Sequence, residues 1–288
     1  MAKIPFPDWI RAKYPQNEKL NQTVAILDEL RLHTVCQSAR CPNQGGCFAD
    51  GTATFLILGN ICTRSCHFCA VNKGKAEPLD EDEPRRVAEA VKRMKLDYVV
   101  ITSVTRDDLP DGGAVAFAET IRQIRSVSSC MIEILTPDFQ GDCKALQVIA
   151  EAQPTVFNHN VETIPRLYPV MRPQADYQRS LWVLSTMRNI FPQAKIKSGL
   201  MVGLGERKEE VIGVLEDLRK AGCDFITIGQ YLAPSNVHQP VVEYIHPKQF
   251  AEYEQIALSL GFAGVASGPL VRSSYHAKKM YEDAVNSE

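Results

Sequence analysis

The chain has 288 residues, of which 45% are hydrophobic and 23% charged, with a formal net charge of -2 at pH 7. That composition is ordinary for a soluble globular protein, and the length suffices for one large α/β barrel or two smaller domains. The balanced charge gives no basis for nucleic acid or an anionic membrane as the main partner, and no apolar run approaches the roughly 20 residues that span a bilayer.

The N-terminal stretch MAKIPFPDWIRAKYP has neither the apolar centre of a secretory leader nor a long Arg/Ser-rich amphipathic lead. A cytoplasmic location is therefore expected. That compartment is reducing, so the cysteines are expected as thiols or metal ligands rather than disulfides. Residues 1–51 read as irregular, punctuated by Pro5, Pro7, Pro15, Pro42, Gly45, Gly46 and Gly51, with one short helix around Asn21–Leu32. Beyond them, β-type runs are expected at Thr54–Leu58, Tyr98–Ser103, Met131–Leu135, Thr155–Asn160, Lys195–Val202 and Phe225–Gly229. Helical spacing fills the gaps: Val87, Val91 and Met94 share a face, as do Phe117, Ile121 and Ile124, and Val211, Leu215 and Leu218. The alternation of strand and helix predicts a parallel sheet. Six such units fall short of a closed eightfold barrel, so the expected fold is α/β, a partial (βα)6 TIM-type barrel over 52–260. An N-terminal extension (1–51) and a C-terminal extension (261–288) flank it, and a seventh apolar run, Phe262–Ala266, is a further strand candidate.

Six of the nine cysteines lie in two triplets, Cys36, Cys41 and Cys47 (C-x4-C-x5-C) and Cys62, Cys66 and Cys69 (C-x3-C-x2-C). A closed structural zinc site requires four ligands, and each triplet supplies three. Three thiolates on a cubane iron–sulfur cluster leave one iron open for chemistry. The second triplet follows the first strand, where parallel barrels carry their reactive loops. The alternative is a zinc loop completed by His67 or a distant residue. Cys130, Cys143 and Cys223 stand alone and read as small buried apolar residues.

The C-x3-C-x2-C spacing, with Phe68 before its last cysteine, resembles the radical S-adenosylmethionine superfamily. In that superfamily the fourth iron is chelated by S-adenosylmethionine, whose reductive cleavage yields a 5′-deoxyadenosyl radical. The resemblance implies cofactor contacts from Phe68, from Gly112 and Gly113 after the second strand, and from Asn160 and Glu162 after the fourth. It also implies contacts from Arg172 and Lys197, which would neutralise the methionine carboxylate, and from Gly203 and Glu206 after the fifth strand. The family usually has Glu where Ala114 stands. Taken without the resemblance, Gly112-Gly113 is an ordinary turn and the polar residues are solvated or structural loop positions.

The first triplet, together with Arg272-Ser273-Ser274-Tyr275 and the runs PDWIRAKYP, VVITSVTRDDLPDGGA, VFNHNVETIPRLYPVMRP, KSGLMVGLGE and GQYLAPS, is similar to the lipoyl synthase family over nearly the whole chain. That resemblance implies two [4Fe–4S] clusters. The N-terminal triplet holds an auxiliary one whose fourth ligand is a serine, Ser274 by the family pattern, although Ser273 is equally placed in the sequence. Without the triplet, both serines read as a cap on a C-terminal turn. The implied reaction inserts two sulfur atoms, at C6 and C8 of a protein-bound octanoyl-lysine, and consumes two S-adenosylmethionine. Implied partners are octanoylated lipoyl carrier domains (2-oxoacid dehydrogenase E2 and glycine cleavage H protein), a flavodoxin- or ferredoxin-type electron donor, and an iron–sulfur carrier that rebuilds the cluster. Rival readings are another radical enzyme with an auxiliary cluster, such as a methylthiotransferase, and a two-cluster electron carrier or iron sensor.

Overall fold

Runs rich in β-branched residues form the strands, and the amphipathic segments between them return the chain as helices. In the computed structural model, which describes residues 5–11, 15 and 17–286, seven parallel strands adjoin in chain order. They are β1 (Thr54–Ile57), β2 (Tyr98–Ser103), β3 (Met131–Leu135), β4 (Val156–Asn158), β5 (Lys195–Val202), β6 (Phe225–Gln230) and β7 (Gly264–Gly268). A short strand, His33–Thr34, pairs antiparallel with β1 through His33 opposite Leu56, and forms the outer edge of the sheet. Ala12–Tyr14, part of the N-terminal run PDWIRAKYP, lie outside the described residues.

The six expected strands are present in the expected parallel order, and the further candidate adds a seventh. The run expected at Phe262–Ala266 forms strand two residues later, as β7, and pairs with β6 from Gly264 opposite Phe225 to Gly268 opposite Gly229. The two sheet edges do not pair with each other, so the sheet stays open. Its ends nevertheless meet, because the Thr54 hydroxyl on β1 donates to Ser274 Oγ, just beyond β7, at 2.8 Å.

Helices α1 (Glu18–Glu29), α2 (Val35–Ser38), α3 (Gln44–Ala49), α4 (Glu83–Arg93), α5 (Ala114–Val127), α6 (Cys143–Ala152), α7 (Tyr168–Met171), α8 (Tyr177–Ile190), α9 (Lys208–Lys220), α10 (Pro247–Ser259) and α11 (Ala277–Val285) complete the fold. The first starts three residues earlier than expected because Asn17 caps it, accepting from the Leu20 amide at 2.9 Å. The predicted apolar faces are the buried ones: Val87 and Val91 on α4, Phe117, Ile121 and Ile124 on α5, and Val211, Leu215 and Leu218 on α9. Helix α11 covers one end of the strands, with Met280 and Ala284 packed on Val156 and Phe225, and Ala277 on Tyr98 and Val100. The other end, where the strands terminate, is left for the loops.

Candidate functional site

The chain leaves β1 through Leu58 (φ 69°) and Gly59 (φ 89°) and enters the loop that carries Cys62, Cys66 and Cys69. Arg64, between the first two cysteines, is 4% exposed and anchors this loop. Its guanidinium donates to Asp107 at 2.6 and 2.8 Å and to Asp138 at 2.6 Å, while Arg179 of α8 reaches the other oxygen of Asp138 at 2.8 Å. Burial opposes the charge on Asp138, but the Arg64 hydrogen bond and charge hold its carboxyl well below the usual carboxylate range. The charged residues Arg106, Asp107 and Asp108 follow β2: Asp107 grips the cysteine loop, and Arg106 is buried against Asp108 at 2.8 Å. Cys62 Sγ accepts from the amides of Arg64 and Thr105, each at 3.4 Å. Burial pushes the Cys69 thiol up to about 12 and raises Cys66, whose shift is opposed by the neighbouring Arg172 charge. Such thiols stay protonated until a cation takes the place of the proton.

The N-terminal triplet is built by two short helices. Thr34 caps α2, accepting from the Gln37 amide at 3.2 Å, which sets Cys36 into the interior. The Cys41 amide donates to the Cys36 carbonyl at 3.0 Å. Burial raises the thiols of Cys36, to about 11, and Cys47, to about 12, and each is raised further by Cys41 nearby. The Asn43 amide donates to the Leu270 carbonyl at 2.6 Å and ties this triplet to the C-terminal segment. The two serines separate here. Ser274 Oγ sits on Thr54, whose hydroxyl and amide also engage Cys36. Ser273 turns the other way, donating to Asn160 Oδ1 at 3.0 Å and accepting from Asn158 Nδ2 at 2.8 Å.

Both groups open on one cavity of about 540 Å³ at the C-terminal ends of the strands. Cys36, Cys41, Cys62, Cys66, Cys69, Phe68, Ser273 and Ser274 line it. So do Asn160, Glu162 and Arg172, which follow β4. Arg172 is 8% exposed and donates to the carbonyls of Asn160 and Val161 at 3.1 and 3.2 Å. Asn160 Nδ2 donates to Glu162 Oε1 at 3.2 Å. Burial raises the Glu162 carboxyl, with the Arg172 charge opposing.

Six residues expected at the site do not line this cavity: Cys47, half-buried on α3, and five others to which the structure gives another task. Lys197 is 1% exposed inside the barrel, where its ammonium meets Glu133 at 2.8 and 3.1 Å; its charge is already paired. Gly112 and Gly113, at φ 60° and 93°, form the turn into α5, and a Cβ at Gly113 would lie 2.3 Å from Leu58 Cδ1. Glu206 accepts from the amides of Gly203 and Leu204 at 2.5 and 2.9 Å and so shapes the loop after β5. Gly203 admits Gln230, whose Nε2 would lie 2.1 Å from a Cβ there. In this glycine-rich segment the residue that lines the cavity is instead Gly199, where a Cβ would meet Thr227 Oγ1 at 2.4 Å and Asn160 Oδ1 at 3.0 Å. His67 is exposed and off the cavity, so the zinc alternative lacks its local fourth ligand. Of the lone cysteines, Cys223 is buried as expected, Cys130 is half-buried, and Cys143 is exposed at the start of α6. Sequence reasoning missed Arg64, Thr54 and Ser103, whose only signal was their place in or beside a named run, and Asp138, which had none; nothing in the chain order pairs Arg64 with Asp138.

The profile of the Radical SAM superfamily matches residues 56–218. A lipoyl synthase of Caldanaerobacter subterraneus subsp. tengcongensis is 58% identical over 94% of this chain and 95% of its own length. A lipoyl synthase of Caldicellulosiruptor saccharolyticus is 55% identical over 97% of this chain and 98% of its own. The chain belongs to the lipoyl synthase family. Solved structures share the fold at much lower identity. The maturase HydG of the [FeFe]-hydrogenase superposes with a TM-score of 0.58 at 15% identity, over 94% of this chain and 60% of that one. Streptococcus suis SuiB bound to its precursor peptide superposes with 0.55 at 10% identity, over 83% of this chain and 49% of that one. As a radical S-adenosylmethionine enzyme of the lipoyl synthase family, the chain takes a [4Fe–4S] cluster and S-adenosylmethionine. The cavity suits them. Among the described residues, Ser103 Oγ, Thr136 Oγ1 and Arg172 Nε are buried without a hydrogen-bond partner, and all three residues line it. Unpartnered buried polar atoms of this kind call for a polar ligand. Gly199 lets Thr227 and Asn160 pack closely at the cavity wall, and three thiols share one short loop.

Proposed function

We propose that this chain inserts two sulfur atoms, at C6 and C8, into octanoyl-lysine on a lipoyl carrier domain, and that it holds two [4Fe–4S] clusters to do so. Cys62, Cys66 and Cys69 hold the first and Cys36, Cys41, Cys47 and Ser274 the second. The observation that carries this reading is that Cys36 and Cys41 of the first triplet, all three cysteines of the second and the C-terminal serines border a single cavity. A substrate carbon held in that cavity is within reach of both groups. When bound, the first cluster with S-adenosylmethionine supplies the hydrogen-abstracting radical and the auxiliary cluster supplies sulfur. Arg172 offers its charge to the methionine carboxylate, and Asn160 and Glu162 offer polar atoms to the amine and ribose. The serine is the harder and more basic donor, and so releases iron more readily than a thiolate. Arg64, held by Asp107 and Asp138, keeps the cysteine loop in place. The partners that fit are octanoylated E2 and H-protein domains, a flavodoxin- or ferredoxin-type donor, and an iron–sulfur carrier.

The test is anaerobic reconstitution with iron, sulfide, reductant, S-adenosylmethionine and an octanoylated lipoyl-domain peptide, read by mass spectrometry. Two added sulfurs on octanoyl-lysine are expected. A methylthio product would assign the chain to a different reaction, and no 5′-deoxyadenosine would leave only an electron carrier.

A further inference from the structure

A chain of buried polar groups crosses the barrel interior and ends on the C-terminal segment. It starts at Lys197 and Glu133, each 1% exposed and in contact at 2.8 Å. The Tyr98 hydroxyl donates to Glu133 Oε2 at 2.6 Å, and Asn158 Nδ2 donates to Glu133 Oε1 at 3.0 Å. The same Asn158 amide donates to Ser273 Oγ at 2.8 Å, and Ser273 donates onward to Asn160 Oδ1 at 3.0 Å. Both the lone pair and the proton of Ser273 are thereby engaged on the ends of the strands. Ser274 is engaged once, by Thr54, and its own proton has no acceptor among the described residues. The two serines are the central residues of a turn closed by the Tyr275 amide donating to the Arg272 carbonyl at 3.0 Å, so fixing Ser273 on Asn158 and Asn160 fixes the turn that presents Ser274 to Thr54.

We infer that Ser273 is a latch, a positioning residue that sets Ser274 at the auxiliary-cluster site, with Asn158, held by the Glu133–Lys197 pair, as its anchor. The inference rests on the assignment of Ser274 as an iron ligand. It gives buried Lys197 and Glu133 a purpose that the reaction itself does not require. Since Asn160 also bonds Glu162, the latch joins the two ligand sites through one side chain. Replacing Ser273 removes two hydrogen bonds from the segment but no iron ligand. The cluster should therefore still assemble, yet sit on a looser fourth ligand.

The experiment measures release of iron to a ferrous chelator from the anaerobically reconstituted full chain, for the parent, Ser273→Ala, Ser274→Ala and the double variant. Ser273→Ala is expected to bind as much iron as the parent and to release the auxiliary share about three- to tenfold faster, the effect of one or two hydrogen bonds. Ser274→Ala is expected to release it faster still. The double variant should match Ser274→Ala, because a latch has nothing to position once its ligand is gone. Asn158→Ala reports on the anchor and should resemble Ser273→Ala. If Ser274→Ala speeds release and Ser273→Ala does not, the latch is wrong and the ligand assignment stands. If Ser273→Ala is the faster and Ser274→Ala matches the parent, Ser273 is itself the ligand. If neither differs from the parent, serine ligation fails with it.

Discussion

His159 is 1% exposed, between the Thr136 carbonyl at 2.9 Å and Ser180 Oγ at 3.1 Å. Burial, helped by the Arg172 charge, pushes its imidazole down to about 4. The group is neutral in the fold, and the unfolded chain binds its proton near pH 6.5. The unfolded state therefore holds more protons below that value, and stability falls as pH drops from about 6.5 towards 4. Between pH 7 and pH 5 this one residue should remove roughly 2 kcal/mol, and in urea titrations of the apo chain His159→Gln should lack that component. An equal pH slope in both proteins would contradict it. Ser274 is the other residue on which much depends. With Ser274 as the proposed iron ligand, the thiolate of Ser274→Cys would replace an oxygen donor and hold iron more tightly. We expect 5′-deoxyadenosine to form while the doubly thiolated product falls by about tenfold or more, a difference of about 1.4 kcal/mol or more in that step alone. Parent-level product by mass spectrometry would mean that the oxygen donor is not needed.

At the level of elements, the cysteine loop after β1 has almost no regular structure of its own beyond the Ile61–Cys62 pairing with Asn72–Lys73. Its position comes from Arg64, which reaches Asp107 after β2 and Asp138 after β3. Asp138 is fully buried and serves two arginines, so neutralising it leaves positive charge underpaired in the interior. Asp138→Asn should destabilise the apo chain by about 3 kcal/mol at pH 7. Chemical denaturation measures this directly, and a midpoint equal to that of the parent would remove the anchor from the account. The strand ends illustrate the same dependence. Gly199 and Gly203 both lie in a segment that reads as glycine-rich, yet Gly199 borders the cavity while Gly203 makes room for Gln230. Spacing along one strand cannot tell these apart, because the neighbour that fills each gap comes from another strand.

Across the whole molecule, the open sheet allows the residues before β1 and after β7 to meet on one cavity. If each triplet holds a [4Fe–4S] cluster as proposed, the reconstituted chain should carry about eight irons and eight acid-labile sulfides. The variant with Cys62, Cys66 and Cys69 all replaced by Ala should retain about four irons and form no 5′-deoxyadenosine. The corresponding variant at Cys36, Cys41 and Cys47 should also retain about four, cleave S-adenosylmethionine and insert no sulfur. Iron analysis and product chromatography separate these outcomes, and S-adenosylmethionine cleavage by the first variant would reverse the assignment of the triplets.

Local rules were enough to read much of this protein from its chain. Strand and helix periods placed β2, β3 and β5 at their observed bounds, since a buried parallel strand is rich in β-branched and aliphatic residues and needs no partner to be recognised. The cysteine spacings and RSSY segment were legible for the same reason, being short patterns along the backbone. What only the tertiary structure decided is who meets whom across long sequence separations. It paired Lys197 with Glu133 rather than with a ligand, and it gave Arg64 its two carboxylates. It also turned Ser273 to Asn158 and Ser274 to Thr54, two neighbours that the sequence left equivalent. Those choices are set by the curl of the sheet and the closing of its ends, which bring together residues more than 200 positions apart, such as Thr54 and Ser274.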